Sequence, residues 1–233
     1  MNKLKTYARK IIPTVRTKKS NIIAPPVKVH DVTACLTDID LSALDVIEWT
    51  PAHMSRAERL LLYTLTFTLR PTRYLEIGTL HGGSALIVTA AMNALNSSGK
   101  LVCVDPNPRI SPEHWEKLKH RSTVVEGFSP DVLQKAQQIA GGPFDFVLID
   151  GDHSYEGLMR DAVGVLPFVS NGAYILFHDS FFSEVRRGLD DFVKQHADQV
   201  VDFGAMTREI TLHEAETKPV QWGGLRMVQV RRN

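Results

Sequence analysis

Residues 73–84 read Arg-Tyr-Leu-Glu-Ile-Gly-Thr-Leu-His-Gly-Gly-Ser, and this stretch constrains the fold most. Tyr74, Leu75 and Ile77 predict a short buried strand. Gly78 ends it, and Gly82 and Gly83 open the next element. From Gly83 to Leu95 the apolar residues return at helical spacing, at Leu86, Ile87, Ala90, Ala91 and Ala94. The unit is therefore strand, glycine turn, helix. Glycine lets a ligand approach the backbone because no side chain intervenes. The helix start offers unpaired N–H groups to an anionic group. Lys100 to Asp105 reads as a second buried strand that ends in a carboxylate. An acid at that point in such a unit is where a ribose hydroxyl pair is held. Glycine turn and acid together predict a nucleoside-containing cofactor.

The remaining chain repeats the alternation. Ser55 and Glu58 form a capping box for a helix that Pro71 limits. Helix starts are also predicted at Ser111-Pro112-Glu113 and at Ser129-Pro130-Asp131, the latter helix ending at Gly141-Gly142-Pro143. Residues 154–169 are helical by period and closed by Asn171-Gly172, and a last helix covers 183–197. Strands are predicted at 123–126, 144–150 and 174–179. Runs at 200–203 and 225–230 read as a closing hairpin with a long polar connection at 207–222. Strands alternating with helices predict an α/β fold. The expected sheet is doubly wound, mostly parallel and seven-stranded, with helices on both faces and a C-terminal antiparallel hairpin. The main domain is expected over 55–233, behind a basic tail and arm at 1–54.

Composition excludes several classes. A net charge of +1 over 233 residues argues against nucleic acid as the main partner. Cys35 and Cys103 are the only cysteines, and Cys103 falls inside a predicted strand. A disulfide framework is therefore not expected, and a reducing, cytoplasmic setting is. No apolar run approaches membrane-spanning length. Residues 1–20 hold seven Lys or Arg and no acid, which suits a solvated tail. Attraction to an anionic membrane face or to an acidic substrate is the sharper alternative, and a homodimer is left open. Deletion of residues 1–20 is expected to leave folding intact.

Ligands of such sheets bind beyond the carboxyl ends of the strands. Glu76, Asp105, Asp150 and Asp179 all fall at or near those ends. If the strands leading to Asp150 and Asp179 are neighbours, the two residues are roughly 5 Å apart. Two ionised carboxylates so close repel unless a cation lies between them. Oxygen ligands suggest magnesium or calcium. His153, three residues past Asp150, is a candidate proton acceptor, and His178 stands nearby.

Residues 75–78 (Leu-Glu-Ile-Gly) with 82–85 (Gly-Gly-Ser-Ala) resemble motif I of the class I S-adenosylmethionine-dependent methyltransferases, in the variant of the catechol and caffeoyl-CoA O-methyltransferases. Residues 148–157 and 177–180 look more like a bacterial branch, that of macrolide-sugar O-methyltransferases and cephalosporin hydroxylase-like proteins. The resemblance covers about residues 55–205. It implies an O-methyltransferase acting on a hydroxyl of a sugar or of a small polyhydroxylated or phenolic acceptor. It also implies a division of roles. Glu76, Gly78, Thr79, Gly82 and Ser84 would hold the methionine moiety, Asp105 the ribose, and Gly127 to Ser129 the adenine. Asp150, Asp179 and Ser180 would match the metal set, with Asp150 also beside the cofactor, and magnesium would be the ion. His153 falls where the catechol enzymes place their general-base lysine. Two departures are Ser180, where the family often has Asn, and Pro130, where the catechol enzymes carry a polar adenine contact.

Three other readings compete. One is a metal-free methyltransferase with His153 or His178 as base. One is a nicotinamide-dependent oxidoreductase, weakened by a missing third glycine and by the absence of Tyr-x-x-x-Lys. The last is a non-catalytic nucleotide-binding module, which would not need the set Asp150, His153 and Asp179.

Overall fold

A computed structural model describes residues 41–213 and 220–232. The tail at 1–20, most of the arm and Cys35 lie outside these residues. A 3-10 turn at Leu41–Leu44 leads into α1 (Val46–Trp49) and α2 (Arg56–Leu69). Then β1 (Arg73–Ile77), α3 (Gly83–Ala94), β2 (Lys100–Asp105), α4 (Pro112–Leu118) and β3 (Ser122–Glu126) follow. The second half holds α5 (Leu133–Ala140), β4 (Phe144–Ile149), α6 (Tyr155–Val165), β5 (Val169–Phe177) and α7 (Ser183–Gln195). The chain closes with β6 (Val200–Ala205), β7 (Thr211–His213), β8 (Val220–Trp222) and β9 (Arg226–Val230).

Seven strands form one sheet in the order β3-β2-β1-β4-β5-β9-β6. The first five are parallel, and β9 runs antiparallel to both β5 and β6. This is the expected doubly wound sheet with its antiparallel C-terminal pair. Alternate residues of each strand face opposite sides. Leu75, Ile77, Val102 and Val104 join the core beneath α5, α6 and α7. Tyr74, Leu101 and Cys103 join the core beneath α1, α2 and α3. No helix among the described residues is long and apolar enough to cross a membrane.

Three local readings are corrected, and the start of the described chain packs on the domain. The helix expected from Ser129-Pro130-Asp131 begins only at Leu133, after a turn over 129–132. Asn171-Gly172 does not close a helix. α6 ends at Val165 in a 3-10 turn, and both residues lie inside β5, with Gly172 at φ +85°. The connection 207–222 carries its own two-stranded sheet, β7 with β8. Finally, Val46, Ile47, Ala52 and Met54 are buried in the same core cluster as α2 and α3. The division at 54/55 therefore does not mark a gap in packing.

That packing also explains a glycine. A Cβ on Gly83 would lie 2.3 Å from the backbone N of Ala52. Thr50 Oγ1 donates to the Gly83 carbonyl at 2.8 Å. The start of α3 is thus clamped to residues 50–52, and Gly83 serves a protein contact rather than an open approach. Ile47→Ala should accordingly lower the unfolding free energy by about 2–5 kcal/mol, as for other buried aliphatic truncations. Chemical denaturation checks this. A change within about 0.5 kcal/mol, typical of surface sites, would show that the segment does not share the core.

Candidate active site

The strand order reverses between β1 and β4, where such sheets open a crevice at their carboxyl edge. A cavity of about 970 Å³ lies there. Gly78, Thr79 and Ser84 of the first turn line it, together with Asp105, Gly127 and Ser129. So do Asp150, His153 and Asp179. Glu76, Gly82 and Ser180 are not among its walls.

Glu76 is beneath the turn because it alternates with Leu75 and Ile77. It therefore shares the α3 side of the sheet with Tyr74 and is fully buried. Thr79 Oγ1 donates to its Oε1, and Tyr74 OH donates to its Oε2 at 3.2 Å. Burial lifts its pKa to about 7, against the hydrogen bonds of Thr79 and Ser84. This placement makes Glu76 a brace for the turn. Gly78, at φ +87°, is demanded by β4, since a Cβ there would meet the Asp150 carbonyl. The Ser180 hydroxyl lies against Gly224.

Asp105 builds the same turn from the other side. Its Oδ2 accepts from the backbone N–H of Thr79 (2.9 Å) and of Leu80 (2.8 Å), and its Oδ1 from that of Asn107 (2.7 Å). A carboxylate has about four acceptor positions, so Asp105 keeps capacity toward the cavity that it lines.

The adjacent strands β4 and β5 end in Asp150 and in His178-Asp179. Asp150 Oδ1 lies 3.0 Å from His178 Nδ1 and 3.4 Å from His153 Nε2. Asp179 Oδ2 lies 2.9 Å from His153 Nε2 and 3.2 Å from His178 Nδ1. One donor atom from each of these four residues falls within 4.8 Å of the others. Asp179 itself sits at φ +53°, a costly conformation for a residue with a side chain. It is held there by the Gly223 N–H, which donates to its Oδ1 at 2.6 Å.

Charge is balanced by the imidazoles. Hydrogen bonds to Asp150 and Asp179 push the His153 pKa up to about 9. Burial works against the charge on His178, yet the field of Asp150 and its hydrogen bonds raise its pKa well above the free value. Burial likewise opposes ionisation of Asp179, but His153 and His178 hold its carboxyl well below the usual range.

Sequence reasoning gave Glu58 only a capping role and left His178 as a neighbour. Glu58 caps α2 and also faces His178 Nε2 at 3.5 Å, while its Oε1 accepts from the Gly224 N–H. The signal was present in Ser-Arg-Ala-Glu, but a capping box explains itself without a second partner. Trp222 was also missed. It stacks on Phe182 with centroids 4.2 Å apart and meets the His153 ring edge-on at 5.4 Å.

Residues 75–180 match the family described as a methyltransferase domain. That segment, less than half of the chain, is similar to such a domain. Rhamnosyl O-methyltransferase of Mycobacterium tuberculosis is 26% identical to it over 119 residues, 48% of this chain and 47% of that protein. The chain thus spans about half the length of the curated relatives it matches. Among solved structures, the O-methyltransferase TomG of Streptomyces achromogenes, in complex with S-adenosylmethionine, superposes with a TM-score of 0.59 at 16% identity. That match covers 86% of this chain and 94% of TomG. An O-methyltransferase of Bacillus cereus in complex with S-adenosylhomocysteine gives 0.57 at 22% identity, over 86% and 95% of the two chains. Both are likenesses of fold, and each covers more of the chain than the matched segment.

The raised imidazole pKa values predict a pH dependence for the domain. Stability from these ion pairs is full below about pH 6.5, the free imidazole value, and is lost as pH rises toward 9. Melting temperature followed from pH 6 to 9.5 should fall across that window. In His153→Gln the fall should shrink. An identical profile in wild type and variant would remove His153 from the charge balance.

Proposed function

We propose that the protein is an S-adenosylmethionine-dependent O-methyltransferase, assisted by a divalent cation. Its acceptor is a hydroxyl of a sugar or of a small polyhydroxylated or phenolic molecule. The observation that carries this is the set Asp150, His153, His178 and Asp179 on the same cavity as the Thr79–Ser84 turn and Asp105. Its likeness to rhamnosyl and other O-methyltransferases supports an oxygen acceptor.

The residues suit both groups. The Ser129 hydroxyl is buried on the cavity wall, and Asp105 has acceptor capacity left. Toward a cation, the two carboxylates supply hard oxygen donors. The ring Nε2 atoms of His153 and His178 are buried and lie within ion-pair distance of carboxylates. Imidazole donors widen the choice beyond magnesium toward manganese, iron or zinc.

When bound, S-adenosylmethionine supplies an electrophilic methyl group and the cation lowers the pKa of the acceptor hydroxyl. The protein's task is alignment and proton removal. Thr79, Ser84 and Asp105 hold the cofactor side of the cavity, and Asp150 and Asp179 the acceptor side. Trp222 packs edge-on against the His153 ring. His153 Nε2 accepts the proton only when it is neutral. Between two bare carboxylates it is already protonated at neutral pH. Neutralising those carboxylates with a cation frees it to act as a base, which favours the cation-assisted reading over the metal-free one.

Asp150→Asn and Asp179→Asn should abolish turnover, measured as S-adenosylhomocysteine released over a panel of sugars and phenols. Cofactor affinity should stay nearly intact. His153→Ala should slow turnover by about 10²–10⁴-fold. Full activity in excess chelator, with His153→Ala the only crippling change, would establish the metal-free route. Binding of NADH but not of S-adenosylmethionine would replace the whole reading with an oxidoreductase. Cation addition at pH 7 should also release protons, which calorimetry in two buffers of different ionisation enthalpy detects.

A further inference from the structure

Glu58 does more than its cap requires. In the capping box of α2 its Oε2 accepts from the Ser55 N–H at 2.6 Å. A neutral glutamine serves that role as well. Yet Glu58 is an acid, is 1% exposed and lines the cavity. A buried charge is costly unless it is paired and hydrogen-bonded. Both of its oxygens are engaged across the fold. Oε1 accepts from the Gly224 N–H, and Oε2 lies 3.5 Å from His178 Nε2.

Those two contacts lead to the two supports of Asp179. Gly223, next to Gly224, donates its N–H to Asp179 Oδ1 at 2.6 Å. His178 turns Nδ1 toward Asp179 Oδ2 at 3.2 Å and toward Asp150 Oδ1 at 3.0 Å. An imidazole has only two polar ring atoms. With Nε2 on Glu58 and Nδ1 on the two aspartates, any other ring orientation would turn a carbon toward a carboxylate. Glu58 thus fixes the ring that stands between Asp150 and Asp179, and it also fixes the loop that holds Asp179. It is not one of the four residues whose donor atoms fall within 4.8 Å of one another, so it acts from behind that set.

We propose that Glu58 is a positioning residue of the cation site. Acting through the His178 ring and the 223–224 backbone, it sets the Asp150 and Asp179 carboxylates at the spacing in which both grip one divalent ion. This rests on the cation-assisted reading above.

The test is titration of the full-length protein with Mn²⁺, read by electron paramagnetic resonance, beside calorimetry with S-adenosylhomocysteine. Glu58→Gln keeps the cap and the volume but offers one oxygen where the carboxylate has two. Its Mn²⁺ affinity should fall about 10–100-fold, the usual effect of losing an outer partner of a metal site. The spectrum of the bound ion should change shape, and S-adenosylhomocysteine affinity should stay nearly the same. Glu58→Asp keeps the charge on a shorter stem that cannot reach every partner, so it too should lose Mn²⁺ affinity. It carries the test should Glu58→Gln not fold. Wild-type affinity in Glu58→Asp would mean that charge alone matters and would overturn the positioning role. Ser55→Ala weakens the cap but leaves the carboxylate, so it should lower the melting temperature and spare Mn²⁺ affinity. Equal losses in Ser55→Ala and Glu58→Gln would reduce Glu58 to its cap. A parallel loss of Mn²⁺ and S-adenosylhomocysteine affinity would show general damage and also overturn the proposal. Unchanged Mn²⁺ affinity in Glu58→Gln would sink it while sparing the cation reading. No Mn²⁺ binding by wild type would remove both.

Discussion

One buried imidazole allows three carboxylates to gather at a single sheet edge. His178 is 4% exposed and faces Asp150, Asp179 and Glu58 at once. Each acid comes from a different part of the chain: the end of β4, the end of β5 and the first turn of α2. Without a positive charge among them, burial and mutual repulsion would force at least one to take up a proton. With it, α2, the β4–β5 edge and the 223–224 loop are tied together. Glu58 receives the Gly224 N–H and Asp179 receives the Gly223 N–H. Removing one partner of such a buried set leaves uncompensated charge, the expensive case for ion pairs.

The same tie connects the two halves of the cavity. Asp179 is fixed by the loop that follows β8, and β8 carries Trp222 onto His153. Any shift of the β7–β8 hairpin therefore moves the wall beside the proton acceptor and the clamp on a proposed cation ligand together. On the cofactor side the bracing is separate. Glu76 and Asp105 hold the Thr79–Leu80 turn from below and from the side. The two halves meet where Gly78 passes the Asp150 carbonyl, at a distance that admits no side chain.

Much of this was legible in the sequence because strand-end acids announce themselves. Asp105, Asp150 and Asp179 each follow an apolar run, and alternation of strand and helix places those ends on one edge. The pairing of β4 with β5 was an assumption that the register bears out. What stayed hidden depends on through-space partners. Glu58 is 120 residues from His178, and its local capping role is complete by itself. Gly78 and Gly83 signal a tight turn, yet the atoms that exclude a side chain belong to Asp150 and Ala52. Glu76 reads as a strand-end ligand, while strand alternation sends it beneath the turn. Asn171-Gly172 looks like a helix stop because local propensity cannot see that Val169 and Tyr174, on either side, pair with β4.

Imidazolium and divalent cation are alternative answers to the same repulsion, and this links folding to the proposed chemistry. The carboxylates of Asp150 and Asp179 raise both imidazole pKa values and so favour charged rings, which stabilise the folded site but are not bases. A cation held by the same carboxylates would take over their neutralisation and let His153 lose its proton. His178, more deeply buried and also facing Glu58, keeps a reason to stay charged that His153 lacks. The two histidines therefore divide the work by burial. The one enclosed by three acids maintains the architecture, and the one at the cavity wall beside Trp222 is free to change its proton count.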